Sequence, residues 1–303
     1  MNYNLNVNII KLWPGETNYK EHAEKTYNRE WFMLYKNEVL GTNFTLNDIL
    51  LYRSISPKVV MFIFKVAELC GVNDSVKYKC VELFDRFLNK YFLQKYYKVY
   101  KHYNKKWLKV LDSCQKQSCL YIMSCMQLVT KYSQQSTCLR KLKKIKNILN
   151  RCGHNYTIKS IICSEFNVFN TIDYKLNEPT IFLFVEYFIY FIDYENKTDL
   201  LSMCTMLTDF VYIHFNEIYD HLQYKKIGQR QYSYSEKMQF LFAEYGKIST
   251  AAAIIITATY FLDFNDEKIE LITEYLSEEC QMSPYDLRLI SSATTNIIQI
   301  KMY

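Results

Sequence analysis

Residues 158–180 read IKSIICSEFNVFNTIDYKLNEPT, and the position of one charge within them decides how the chain folds. Taken as a helix from Ile158, the stretch puts Ile161, Ile162, Phe166, Phe169 and Ile172 at the three-and-four spacing of one buried face. Glu165 lies seven residues after Ile158, on that same face. An unpaired carboxylate among apolar side chains costs several kcal/mol, roughly, so Glu165 needs a partner or a purpose. Lys131, ending an apolar helix over Leu120–Tyr132, is the expected partner. The segment stops at Asn177-Glu178-Pro179-Thr180, because proline disfavours helix at the residue before it and suits the first turn of the next.

Helical punctuation continues on both sides. Ser56-Pro57 reads as cap and first turn of a helix through Val60, Ile63, Val66 and Ala67 that stops at Gly71. Asp74 or Ser75 caps a second helix through Val76, Cys80, Phe84 and Leu88. After the Leu120–Tyr132 helix comes CLRKLKKIKNIL (138–149), with Leu139, Leu142, Ile145 and Leu149 opposite its lysines and a stop at Gly153. With the Glu165 helix, this makes five helices between about 56 and 176. Five more are expected after Pro179, over 180–193, 198–223, 234–262, 266–277 and 284–301.

Composition agrees with an all-α chain. Half of the 303 residues are hydrophobic and 22% are charged, which favours a folded core over disorder. Six glycines and four prolines leave little of the punctuation that sheets require. The ten cysteines sit mostly inside apolar helical patterns, as small hydrophobes in a reducing compartment, and no CxxC pair marks a zinc or redox site. The run Ile181–Ile192 is too short to span a bilayer and contains Glu186, and the N-terminus lacks the apolar core of a leader peptide. A net charge of +6 permits an acidic partner without demanding one. Cys152-Gly153-His154, His102, His214 and His221 have no orienting acid or second ligand at motif spacing. No glycine-rich phosphate loop occurs, so no catalytic residue, metal site or cofactor is expected.

The run SEFNVFNTIDYKLNEPT (164–180) resembles the end of a cyclin box, VELFDRFL (81–88) resembles its second helix and LYIMSCMQLVTKYS (120–133) its third, in the order and spacing of the cyclin family. The resemblance implies a cyclin fold of two successive five-helix bundles. An N-terminal extension would occupy 1–45, a first box 46–177 and a second cyclin-like bundle 178–303. Within the first box, a basic insertion covers about 89–110, since Asp85 and Lys131 are farther apart than the family's short link between helices two and three requires.

Residue by residue, the resemblance implies that Lys131 and Glu165 contact the regulatory helix of a cyclin-dependent kinase. The alternative is an internal salt bridge that only fixes one helix against another. Lys58 stands where the family has an arginine paired with the aspartate at Asp85, keeping charge but losing the bidentate fork. Leu120 matches a leucine of helix three. Val60, Met61 and Phe64 lie where some cyclins dock short peptide motifs, although the family's arginine and tryptophan are replaced by Lys58 and Phe64; an ordinary core face is the competing reading. In the basic insertion Lys98, Lys101, Lys105 and Lys106 alternate with tyrosines, either as a partner surface or as a solvated helical extension.

Within the family, SVKYKCVELFDRFL (75–88), SCMQLVTKYS (124–133), SEFNVFNTIDYKLNEPTIFLFVE (164–186) and LTDFVYIHFNEIYDHL (207–222) are similar to cyclins of meiotic crossover maturation. This implies a non-catalytic regulator of a cyclin-dependent kinase, nuclear and on meiotic chromosomes, with the cytoplasm as the other compartment. The alternative is a kinase-independent scaffold for recombination or clamp-loader proteins. Neither direct nucleic-acid binding nor membrane contact is expected.

Overall fold

Pro57 opens the first helix and Gly71 closes it, as the sequence predicts. Gly71 adopts φ 64°, and the amides of Gly71 and Val72 reach back to the carbonyls of Glu68 and Ala67. The computed structural model describes residues 55–99, 105–134, 139, 141–227, 246–263 and 265–302. The described residues all belong to one compact unit, Phe44–Tyr303. The expected extension over 1–45 lies outside the described residues, as do residues 234–245 of the helix expected over 234–262.

Ten helices and no strand occur among the described residues: α1 (Pro57–Cys70), α2 (Asp74–Val99), α3 (Lys105–Tyr132), α4 (Leu142–Arg151), α5 (Ile158–Thr171), α6 (Ile181–Phe191), α7 (Lys197–Ile227), α8 (Lys247–Asp263), α9 (Asp266–Cys280) and α10 (Pro284–Met302). Local chemistry sets their starts. Asn73, one residue earlier than expected, caps α2 by accepting from the Val76 amide at 3.0 Å. Thr157 and Thr180 cap α5 and α6 through the amides of Ser160 and Leu183.

Each group of five is built around one helix buried on every side. Residues 119–130 of α3 are all buried, packed against α2, α4 and α5. Residues 248–259 of α8 are likewise buried, among α6, α7, α9 and α10. Hydroxyls in these cores bond to the carbonyl one turn back, as Thr130 does to Met126 and Thr257 to Ala253, each at 2.7 Å. Such bonds satisfy a buried polar group without a second chain segment.

The described residues of the basic insertion, 89–99 and 105–110, are helical. Helix α2 continues to Val99 and α3 begins at Lys105, fifteen residues ahead of the start expected at Leu120. Lys98, Lys105 and Lys106 are therefore helical, and Lys101 lies outside the described residues.

Candidate functional site

Glu165 and Lys131 meet as the spacing predicts. The ammonium donates to Glu165 Oε1 at 2.5 Å, joining α5 to the end of α3. Lys131 is 48% exposed and Glu165 14%, so the pair stands at the rim of the core, one partner toward water. A hydroxyl contact between Ser124 and Ser164, 2.8 Å long and buried, sets the two helices together one layer below.

The face around this pair differs from the one expected. The buried side of α5 is Ile161, Ser164, Val168 and Thr171, continued by Ile172. Ile162 and Phe166, expected in the core, are 48% and 63% exposed, and Ile158 is exposed beside them. The helix has apolar residues on two faces, and only one faces α3. Ile158, Ile162 and Phe166, each one turn from the next, form an uncovered apolar stripe with Glu165 along its edge. Cys163 is exposed within it, and Tyr132 is exposed next to Lys131.

The segment behind the stripe is fastened to α2. Lys90 pairs with Asp173 at 2.6 Å, and Arg86 donates to the Lys175 carbonyl at 2.6 Å and pairs with Glu178. Tyr132 donates to Asn177 Oδ1 at 2.7 Å. Asp173 and Tyr174 take left-handed φ of 54° and 61°, which turns the chain out of α5 toward Pro179.

The remaining expected residues are dispersed. Lys58 is exposed in the first turn of α1, Asp85 is half-buried on α2, and Leu120 is buried at mid-α3. Val60, Met61 and Phe64 differ in exposure. Val60 is 1% exposed in the core and Phe64 packs edge-on against Tyr78, leaving Met61 as the exposed member. The reason is the turn of α1, which points residue 60 inward and residue 61 out. Among the described residues no three His, Cys, Asp or Glu side chains gather as a metal site, and no helix is long and apolar enough to cross a membrane.

A second polar cluster escaped sequence reasoning. Glu82 on α2 accepts from the Tyr212 hydroxyl, from Lys247 at 2.7 Å and from the Ile181 amide at 3.4 Å. Lys247 also donates to the Pro179 carbonyl at 2.7 Å. Tyr78, Glu82 and Arg86 lie four residues apart along one stripe of α2, a local spacing that does not point to the distant partners Tyr212 and Lys247.

No family model matches the chain. Two curated proteins are similar to it. Cyclin N-terminal domain-containing protein 1 of Homo sapiens is 26% identical over 176 residues, covering 55% of this chain and 53% of that protein. Its namesake in Mus musculus is 24% identical over 213 residues, 67% of this chain and 64% of that protein. The chain thus matches between about half and two thirds of the length of these relatives.

Proposed function

We propose that this cyclin-like, all-α chain is a non-catalytic regulatory subunit that docks a helix of a cyclin-dependent kinase on the α3–α5 face and serves crossover maturation in meiotic recombination. The observation that carries the reading is the Lys131–Glu165 pair beside the stripe of Ile158, Ile162 and Phe166. An incoming amphipathic helix buries its apolar side on such a stripe, while the neutralised pair offers one donor and one acceptor to its polar edge. Ile158, Ile162 and Phe166 are 39%, 48% and 63% exposed, so covering them is worth about half of the roughly 1.5–3 kcal/mol that full burial of each side chain brings, and polar contacts at the rim must add to it.

The meiotic assignment rests on the resemblance of residues 75–88, 124–133, 164–186 and 207–222, and it carries with it a nuclear location on chromosomes. The competing reading is a kinase-independent scaffold for recombination or clamp-loader proteins on the same fold.

The deciding measurement is binding of the purified chain to a panel of cyclin-dependent kinases, comparing wild type with Lys131→Ala/Glu165→Ala and with Phe166→Ala. Phe166 is 63% exposed, so its truncation is expected to leave the helical circular dichroism signal intact while weakening kinase binding at least tenfold. Absence of binding to every kinase, or binding indifferent to all three substitutions, favours the scaffold.

A further inference from the structure

The net charge of +6 conceals a strong polarity along the chain. Residues 46–177 hold 23 Lys and Arg against 8 Asp and Glu, a formal +15. Residues 178–303 hold 9 against 18, a formal −9. Within the first group two stretches contain no acid at all: Arg86–Leu111 with eight basic residues, and Gln134–Ser164 with seven. A modest net charge argues against a polyanion partner only when the charges are mixed, and here they are segregated.

The fold gathers part of this charge at one end of the first five helices. Helix α4 buries Ile145 and Leu149 and turns Lys143, Lys144 and Arg151 to solvent. The turn after α4 is tied to α3, where the Tyr156 hydroxyl donates to the Lys116 carbonyl at 3.0 Å. That contact holds the turn between Arg151 and the exposed Lys159 of α5 against α3 at Lys116; Lys109 lies two turns along the same helix. Lys116 pairs with Asp112, but Lys143, Lys144, Arg151 and Lys159 form no ion pair among the described residues. Helix α4 thus presents Lys143 and Lys144 in its first turn and Arg151 two turns on, none of them ion-paired among the described residues. The solvent face between them is polar, with Asn147 and Asn150 exposed and no aromatic residue on the helix to stack on a base.

We infer that the exposed side of α4, with the neighbouring ends of α3 and α5, binds the phosphate backbone of duplex DNA without reading its sequence. Lys143 and Lys144 in the first turn and Arg151 two turns on meet phosphates as charges on one ordered element, and the absence of an aromatic residue on α4 itself favours the duplex over a single strand. The inference stands on charge and geometry alone and is independent of the kinase reading.

The test is fluorescence anisotropy of a labelled 30-base-pair duplex of arbitrary sequence, titrated with the full chain between 50 and 200 mM salt. Four phosphate contacts predict that affinity falls roughly 100-fold across that range. The variant Lys143→Gln/Lys144→Gln/Arg151→Gln is expected to bind at least tenfold more weakly at 50 mM salt, with a salt slope smaller by close to three. A control removing the same charge elsewhere, Lys65→Gln/Lys175→Gln/Lys301→Gln, is expected to bind nearly as wild type. All six positions are on the surface, and circular dichroism checks each fold. No duplex binding at 50 mM salt, or equal loss in the two variants, overturns the proposal. Equal affinity for a single strand overturns its duplex part. Salt-sensitive self-association in sedimentation without a DNA signal would assign the basic end to the acidic half of a second copy, and overturns it too.

Discussion

Glu186 carries the least comfortable charge among the described residues. It lies on α6, where burial, joined by the Asp74 carboxylate, pushes its carboxyl from 4.5 up to about 7. A raised acid pKa means the folded state holds the proton more tightly, so this contribution to stability is complete below about pH 4.5. It is lost as pH rises to about 7 and through it. Glu186→Gln is therefore expected to leave stability unchanged near pH 4.5 and to raise it by roughly 1–3 kcal/mol at pH 8. Urea denaturation at the two pH values checks this. At this scale sequence reading was uneven. The Glu165–Lys131 pair was legible because each charge interrupts an apolar period that calls for a partner. Glu82 was not, since Tyr212 and Lys247 stand 130 and 165 residues away and no local pattern links them. Ile162 and Phe166 were assigned to the wrong environment because α5 is apolar on two faces, and periodicity alone does not say which is covered.

Helix ends obey local chemistry, and two of them invite a paired comparison. Both α1 and α9 finish on a left-handed residue, Gly71 at φ 64° and Gln281 at φ 54°. A Cβ at Gly71 would meet nothing within 4 Å, so Gly71→Ala is expected to cost about 1 kcal/mol through backbone strain alone. Gln281→Gly relieves that strain and is expected to stabilise by roughly 0.5 kcal/mol. The two shifts, opposite in sign, are read from urea midpoints at constant slope. Helix order was legible from such caps and stops, yet the lengths of α2 and α3 were not. No glycine or proline occurs from Val72 to Cys152, and without a breaker α2 runs on to Val99 and α3 starts as early as Lys105.

Across the whole described unit, Tyr78 joins the two groups of five helices. It is fully buried on α2, stacks on Tyr212 of α7 at 4.9 Å and packs against Phe182 of α6 at the same distance. Its hydroxyl donates to Asp209 Oδ1 at 2.7 Å and lies 3.1 Å from the Thr205 carbonyl, while Lys77 pairs with Asp209 alongside. Because the joint is a packed core and not a linker, wild type is expected to unfold in one transition. Tyr78→Ala is expected to cost about 3–5 kcal/mol and to split that transition into two, followed by circular dichroism in urea. No sequence pattern announced this joint, because packing between distant helices depends on three-dimensional complementarity that periodicity does not encode.

Cys163 has a practical consequence of its own. Six of the described thiols, among them Cys80, Cys125 and Cys204, are sealed in the core, and burial pushes those three well above their ordinary range. Cys163 is exposed among Ile158, Ile162 and Phe166. An alkylating reagent, read peptide by peptide in a mass spectrometer, would therefore tag the α5 stripe in the unaltered native chain. Anything that settles there should slow that one reaction, giving the stripe an intrinsic reporter of its own occupancy.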